Sequence, residues 1–311
     1  MNSQIKKINL NHSFIFFLFC NIFSVIVFKF SNLNISTLFC LLLILTIGVS
    51  HGALDHLKGK KLLSILNIKK FYIFYLIYTI IALSVILIWT IVPTITLLVF
   101  LAVASFHFGK EDTQFLITKN SNLTSILNFF RGLLVIVIPL YFNFDETVTI
   151  FKMLLIDNEQ FYSGLSFIEK YKIIEIAISL SALSSIILFL SEFNLKKFAI
   201  FLDFFSIIIL NYYLSPLVAF TIYFCFLHSI RHTISLAIEM DNSNLKNGLK
   251  LFVQKAFPLT VLTAIVCLVG LYLLNNVYEL NNAVIKIIFI GLASLTFPHI
   301  LLEYFLEKNE K

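Results

Sequence analysis

Charge is what this 311-residue chain has least of. Asp, Glu, Lys and Arg together make up 13% of it, about half of the roughly 25% found in soluble globular domains. That scarcity excludes a soluble domain of this size. A hydrophobic share of 59% and a mean hydropathy of +0.95 point instead to an integral membrane protein. Paired cysteines are missing too: Cys20, Cys40, Cys225 and Cys267 lie singly in apolar runs, with no C-x-x-C. This excludes a disulfide framework or a cysteine zinc site, and each thiol reads as a small buried hydrophobe. No convincing small-x-small cleavage site follows the first apolar run behind Lys6 and Lys7, so that run reads as a retained span rather than a signal peptide. There is no clear internal repeat and no stretch that reads as a soluble domain. The net charge of +6 does not indicate nucleic acid, because the basic residues sit in loops between spans, where they set orientation.

What is present is a succession of apolar segments, ten in all, near 13–30, 35–54, 71–92, 94–109, 124–143, 172–191, 197–214, 215–238, 256–275 and 283–306. About 20 apolar residues cross a bilayer as a helix. The expected fold is therefore all-α, a polytopic membrane bundle of about ten transmembrane helices forming a single domain over 1–311. A short cytoplasmic tail is expected at about 1–12 and an extramembrane loop, with room for a short surface helix, at about 144–171. Val92-Pro93-Thr94 and Leu214-Ser215-Pro216 read as tight turns between neighbouring segments, since proline breaks a helix. The 35 Phe carry little functional weight, because the chain is also rich in Ile, Asn and Lys, as AT-rich coding sequence produces.

With the N-terminus inside, eighteen of the 23 Lys and Arg fall on one side of the membrane; only Lys29, Lys152, Lys170, Lys172 and Lys286 fall on the other. This positive-inside bias predicts a multi-pass protein of the cell's inner or plasma membrane with both termini cytoplasmic. It also has a consequence for the histidines. Six of the seven lie in or beside apolar segments: His51, His56, His107, His228, His232 and His299. The predicted topology brings all six to the cytoplasmic half of the bilayer. An ionisable side chain at membrane depth costs about 2.5 kcal/mol or more without a partner, and the most economical shared explanation is a metal site.

His228 and His232 are four apart on one predicted helix and project from one face. His51 and His107 each close an apolar run and are followed closely by Gly52 and Gly109, which permit a helix end or close helix approach. Asp55, Glu111 and Glu303 stand four residues after His51, His107 and His299, and Asp112 adjoins Glu111. A ligating imidazole usually donates its other N–H to a carboxylate or carbonyl, and this spacing offers one on the same face; solvated carboxylates at an interface are the alternative. His56 lies about 140° around a helix from His51 and reads as facing a loop or the pocket. His299, after Pro298, is ambiguous in the same way, and His12 falls in the polar tail. Imidazole ligands with few carboxylates suit Fe(II), Cu or Zn.

The run His51-Gly52-Ala53-Leu54-Asp55-His56, then Phe106-His107-Phe108-Gly109 with Asp112, then His228-Ser229-Ile230-Arg231-His232, then Pro298-His299 resembles the Brp/Blh family. Its members are bacterial and archaeal membrane β-carotene 15,15′-dioxygenases that supply retinal to microbial rhodopsins. The resemblance implies Fe(2+), β-carotene and O₂ as substrates, and retinal passed to a rhodopsin partner. It maps four iron ligands, also the catalytic residues, onto His51, His107, His228 and His232. Asp55, His56, Arg231 and His299 lie in family-like motifs and, with Glu111, Asp112 and Glu303, are candidates to hold the ligands or line a pocket. Phe106, Phe108, Tyr223, Phe224 and Phe226 lie near the ligands and are candidates to line an apolar tunnel. Two other readings are a transporter or metal-ion carrier using its histidines at one gate, and a membrane non-haem iron oxygenase or desaturase acting on another lipid. Desaturases need dense boxes such as H-x-x-H-H, which the chain lacks.

Overall fold

The computed structural model describes residues 3–30, 35–117, 121–191 and 193–309, with the side chains of residues 3, 4 and 51 outside the described set. Fourteen α-helices follow one another along the described residues. They are α1 (Ser3–Lys29), α2 (Thr37–Leu43), α3 (Asp55–Ile65), α4 (Tyr72–Ile91), α5 (Pro93–Thr113), α6 (Asn122–Phe142) and α7 (Phe144–Met153). There follow α8 (Glu159–Lys170), α9 (Ile173–Leu190), α10 (Ala199–Tyr213), α11 (Pro216–Ile222), α12 (Ile230–Met240), α13 (Leu245–Asn275) and α14 (Leu280–Asn309). Some are pieces of longer rods: α2 runs through Ile44–Gly48 and Val49–Leu54 into α3, and α11 runs through Tyr223–Ser229 into α12. Among the described residues, nine helical rods are long and apolar enough to cross a membrane.

The ten expected apolar segments are all helical. The seventh differs in length, because α10 has only 15 residues and would rise about 22 Å at 1.5 Å per residue. A short 3₁₀ turn, Leu195–Phe198, precedes it. Both expected proline turns form: α4 ends at Ile91 and Pro93 opens α5, while Pro216 opens α11 after Ser215. At a helix start, proline loses no hydrogen bond that the helix would have used.

The two parts expected to lie outside the membrane are also helical. The residues assigned to a tail are helical from Ser3, with Asn9 fully buried, as is Ser13 just beyond them. Polar side chains on the inner face of α1 are covered by the rest of the bundle, so the segment packs despite its composition. The loop at 144–171 is built from α7 and α8, and α7 turns Thr147, Ile150 and Phe151 into the core. Lys119 and Lys311, two of the basic residues used for orientation, lie outside the described residues.

Burial is uneven around the bundle. In the rod of α11 and α12, 72% of the most apolar window is buried; for α4 the figure is 11%, and for α13 it is zero. The first rod is a central post, whereas α4 and α13 present apolar surface outward, as lipid-facing helices do. α13 starts from a polar turn in which Asp241 accepts hydrogen bonds from Asn247, Ser243 and Asn244. Those bonds, led by the one from the Asn247 side chain, hold its carboxyl down to about 2, so the turn stays ionised and ordered through the neutral range.

One contact fixes the register of α5. A Cβ on Gly109 would lie 1.8 Å from the Asn128 carbonyl oxygen, and one on Gly132 would lie 1.8 Å from that of Ser105. Only glycine at both positions lets α5 and α6 cross this closely. Gly109 thus serves as the sequence predicts. Gly52 does not, since a Cβ there would meet nothing within 4 Å; it stands instead on a cavity wall.

Candidate metal centre

Of the three rods that carry the histidine ligand candidates, α5 with His107 is regular, while the rods of His51 and of His228 and His232 depart from α-geometry beside them. Ile44–Gly48 and Tyr223–Ser229 are π-helical, and Val49–Leu54 is a 3₁₀ turn. Single π turns inside α-helices are frequent at functional sites, because the wider turn re-aims the side chains that follow. The two π segments are tied together: Ser229 donates to the Gly48 carbonyl at 3.1 Å, and a Cβ on Gly48 would lie 2.6 Å from the Phe224 ring. On the opposite side, His12 approaches the Phe226 carbonyl at 2.9 Å through Nε2. His12 thus braces the π segment from α1, a role its place in the sequence did not suggest.

Four histidines from three separate rods converge. The His107 ring centroid is 5.2 Å from that of His228 and 5.3 Å from that of His299, and His232 is 5.9 Å from His299. All four are buried. His299, placed outside the ligand four on the sequence, therefore stands among them. The fourth sequence candidate, His51, has its side chain outside the described set; its backbone lies in the 3₁₀ turn. His56 turns its Nδ1 to the Ala53 carbonyl at 2.9 Å and borders a cavity.

Three of the imidazoles are held by carboxylates in one pattern. His228 donates through Nδ1 to Asp112 at 3.1 Å, and Tyr223 donates to the other oxygen of Asp112 at 2.7 Å. His299 donates through Nδ1 to Asp55 at 2.8 Å, and Tyr78 donates to Asp55 at 2.8 Å. His232 donates through Nδ1 to Glu111 at 2.8 Å, and Gln114 donates to the same carboxylate. A carboxylate only accepts, so each Nδ1 carries the hydrogen, and in the neutral ring Nε2 is left with the lone pair that could bind a metal. This corrects the pairing expected from spacing. Asp55 and Glu111 each hold a histidine of another rod, His299 and His232. They are not solvated interface residues: Asp55, Glu111 and Asp112 are all buried. Glu303 follows the spacing more nearly, lying 3.6 Å from His299 Nε2, and it pairs with Lys58 at 2.7 Å. Potential ligand atoms of His107, His299 and Glu303 lie within 4.8 Å of one another, and so do those of Glu111, His232 and Glu303.

Behind this shell is a buried ion network that sequence reasoning missed in part. Arg231 donates to Asp203 at 2.8 and 3.1 Å, to the Asp112 carbonyl at 2.9 Å and to Ser13 at 2.7 Å. Arg131 reaches Asp203 at 3.4 Å, and the Arg231 guanidinium lies over the Phe115 ring. The available signal was Asp203 itself, a lone carboxylate inside the apolar run of α10, where an isolated charge is costly. Tyr78 and Tyr223 gave no such signal, because tyrosine is ordinary in membrane helices.

A cavity of about 370 Å³ opens beside the cluster. His107, His299, Asp55, Tyr78 and His56 stand on its wall together with Phe108 and Phe224. Its sides are α4 and α13, and residues on those sides are turned outward, with Leu83 60% and Val266 62% exposed. The opening therefore faces the apolar perimeter. Of the five aromatics proposed for a tunnel, Phe108 and Phe224 line this cavity. Tyr223 is committed to Asp112, Phe226 packs on Phe19 of α1, and Phe106 is not on the wall.

Comparison with known proteins accords with this arrangement. Over 263 residues the chain is 27% identical to the β-carotene 15,15′-dioxygenase of uncultured marine bacterium 66A03, covering 84% of this chain and 90% of that protein. No solved structure matches. The family model for β-carotene 15,15′-dioxygenase matches residues 42–307, a stretch holding all six clustered histidine candidates, and the chain belongs to that family.

Proposed function

We propose that this protein cleaves β-carotene at its central 15,15′ double bond with O₂, using Fe(2+) held by buried imidazoles, and yields two molecules of retinal. One observation carries the reading: carboxylate-held imidazoles converge on the inner end of an apolar cavity that opens toward lipid. The donor set fits the metal, because imidazole with each Nδ1 committed to a carboxylate presents Nε2 in a fixed direction. Imidazole suits iron, copper and zinc alike, and oxygen chemistry disfavours zinc, which has no redox activity.

His107, His228 and His232, with His51, are the ligand set taken from the sequence, and the ring positions support adding His299. Bound iron would supply the electrons that let O₂ react with an alkene. The rest is done by the chain. The reaction adds both oxygen atoms across one C=C bond, breaking it and forming two aldehydes, so no external reductant is needed. Selection among the equivalent-looking double bonds of a polyene then becomes a matter of position. The cavity wall holds the hydrocarbon, and Phe108 and Phe224 border the point where it meets the imidazoles. Asp55, Asp112 and Glu111 keep the rings from turning, and the dry surroundings strengthen those bonds.

The same reading places the protein in the plasma membrane with both termini cytoplasmic and passes the retinal to a microbial rhodopsin. Expression in β-carotene-producing bacteria, with pigments separated by chromatography, tests it. Loss of colour with retinal as product, abolished by His228→Ala, is the expected result. Intact β-carotene beside well-expressed, metal-loaded protein would overturn it.

A further inference from the structure

The cavity beside the histidines ends at Phe108, but the space does not. A second cavity, of about 80 Å³, lies beyond the same residue, walled by Leu101, Ala104, Val135, Phe220 and Phe289 among others. Phe108 lines both cavities. Its ring packs edge-on against His228 at 4.9 Å and against Phe224 at 6.3 Å. Phe224 stacks on Phe220, which meets Phe289. A row of aromatic rings therefore separates the two spaces alongside the imidazoles. Ile150 then lines both the 80 Å³ cavity and a third one of about 460 Å³, which reaches Tyr213, Leu217 and Ile285. The three spaces thus follow one another in series, neighbours sharing wall residues at Phe108 and at Ile150.

A substrate cut at its centre must extend equally far on both sides of the cutting point. A single pocket ending at the histidines accepts one half of such a molecule and leaves nowhere for the other. We propose that the cavities beyond Phe108 are the second substrate compartment: one half of a symmetric, C40-class carotenoid occupies the lipid-open cavity, and the other passes Phe108 into the space walled by Ala104 and Leu101. Phe108 is then a positioning residue for the central bond, and the depth of the inner compartment sets which double bond comes to rest at the imidazoles. This inference rests on the carotenoid-cleavage reading and names the path of its substrate.

Ala104→Phe tests it, because Ala104 is buried on α5 one turn before Phe108 and a ring there fills the inner compartment. His107 stands three residues on along the same helix, so metal content is the control for the imidazoles. Leu101→Phe on the same wall is the second variant, guarding against misfolding of the first. Wild type and both variants are purified in detergent, their metal content measured, and retained carotenoid read from the absorbance spectrum. Each is then given β-carotene and, separately, an apocarotenal that keeps one ring and the central double bond but is truncated just past it.

The expected result has three parts. Metal content is unchanged, β-carotene retention and cleavage fall about tenfold or more, in line with what a filled apolar pocket discriminates, and the truncated substrate is cleaved as in wild type. Normal β-carotene cleavage by both variants would overturn the proposal, because the whole substrate would then fit the outer cavity. Equal loss on both substrates with metal intact would also overturn it. Wild-type protein that cleaves neither substrate fails the carotenoid reading itself, a result separate from either of these.

Discussion

His228 and His299 are held by the same three-part device in two different settings. Each imidazole donates to an aspartate that also accepts from a tyrosine hydroxyl, giving His228–Asp112–Tyr223 and His299–Asp55–Tyr78. The first is sealed in the core, with Tyr223 and His228 each 1% exposed, and is backed by Arg231 and Asp203. The second stands on the cavity wall in all three of its parts. Identical hydrogen bonding therefore does two jobs. The deep assembly ties the central rod to α5 and belongs to the folding of the bundle. The other holds its ring on the cavity wall and can be altered with less cost to the fold.

Breaking the backing of the deep assembly is expected to have the largest effect. Asp203→Ala leaves Arg131 and Arg231 buried without their shared carboxylate, a loss of about 3–5 kcal/mol. It should appear as a collapse in folded yield and thermal stability in detergent, whatever the metal content. Asp112→Asn comes next: it weakens the hold on His228 in the driest part of the site, and metal affinity should fall about 10–100-fold together with a measurable drop in melting temperature. Asp55→Asn should lower metal affinity within the same range of about 10–100-fold while leaving the melting temperature closer to that of the parent. Equal destabilisation by Asp55→Asn and Asp112→Asn would erase the distinction between the two settings. Smaller again is the tyrosine pair. Tyr223→Phe should cost about 1.5–3 kcal/mol for one hydrogen bond to a charged carboxylate, whereas Tyr78→Phe should change stability less and carotenoid retention more, as read from the absorbance of purified protein. His12→Ala should have the smallest effect, a loss within about 1 kcal/mol with metal content unchanged by elemental analysis.

The helices were legible in the sequence because membrane burial writes itself as apolar length, and Pro93 and Pro216 marked two turns correctly. The convergence of His107, His228 and His232 could be anticipated from charge bias and depth alone. Which carboxylate serves which imidazole could not, because spacing along one helix reports only neighbours on that helix. Asp55 and Glu111 each sit four residues after a histidine and bind one from elsewhere, a choice made by how the rods rotate about one another. The same limit hid His299, which looked peripheral beside Pro298, and Tyr78 and Tyr223, whose hydroxyls matter only because Asp55 and Asp112 lie opposite. The burial of Asn9 in α1 was illegible for a related reason: a polar residue read in isolation looks solvated, yet the bundle covers it.

The outward-facing walls of α4 and α13 carry a consequence for how this protein should be measured. Its cavity meets hydrocarbon rather than water, so the quantity that governs loading is the mole fraction of substrate in the bilayer. At a fixed amount of carotenoid per millilitre, adding plain lipid vesicles that fuse with the enzyme's own membrane should slow turnover in proportion to the area added. Concentrating the aqueous phase should leave it unchanged.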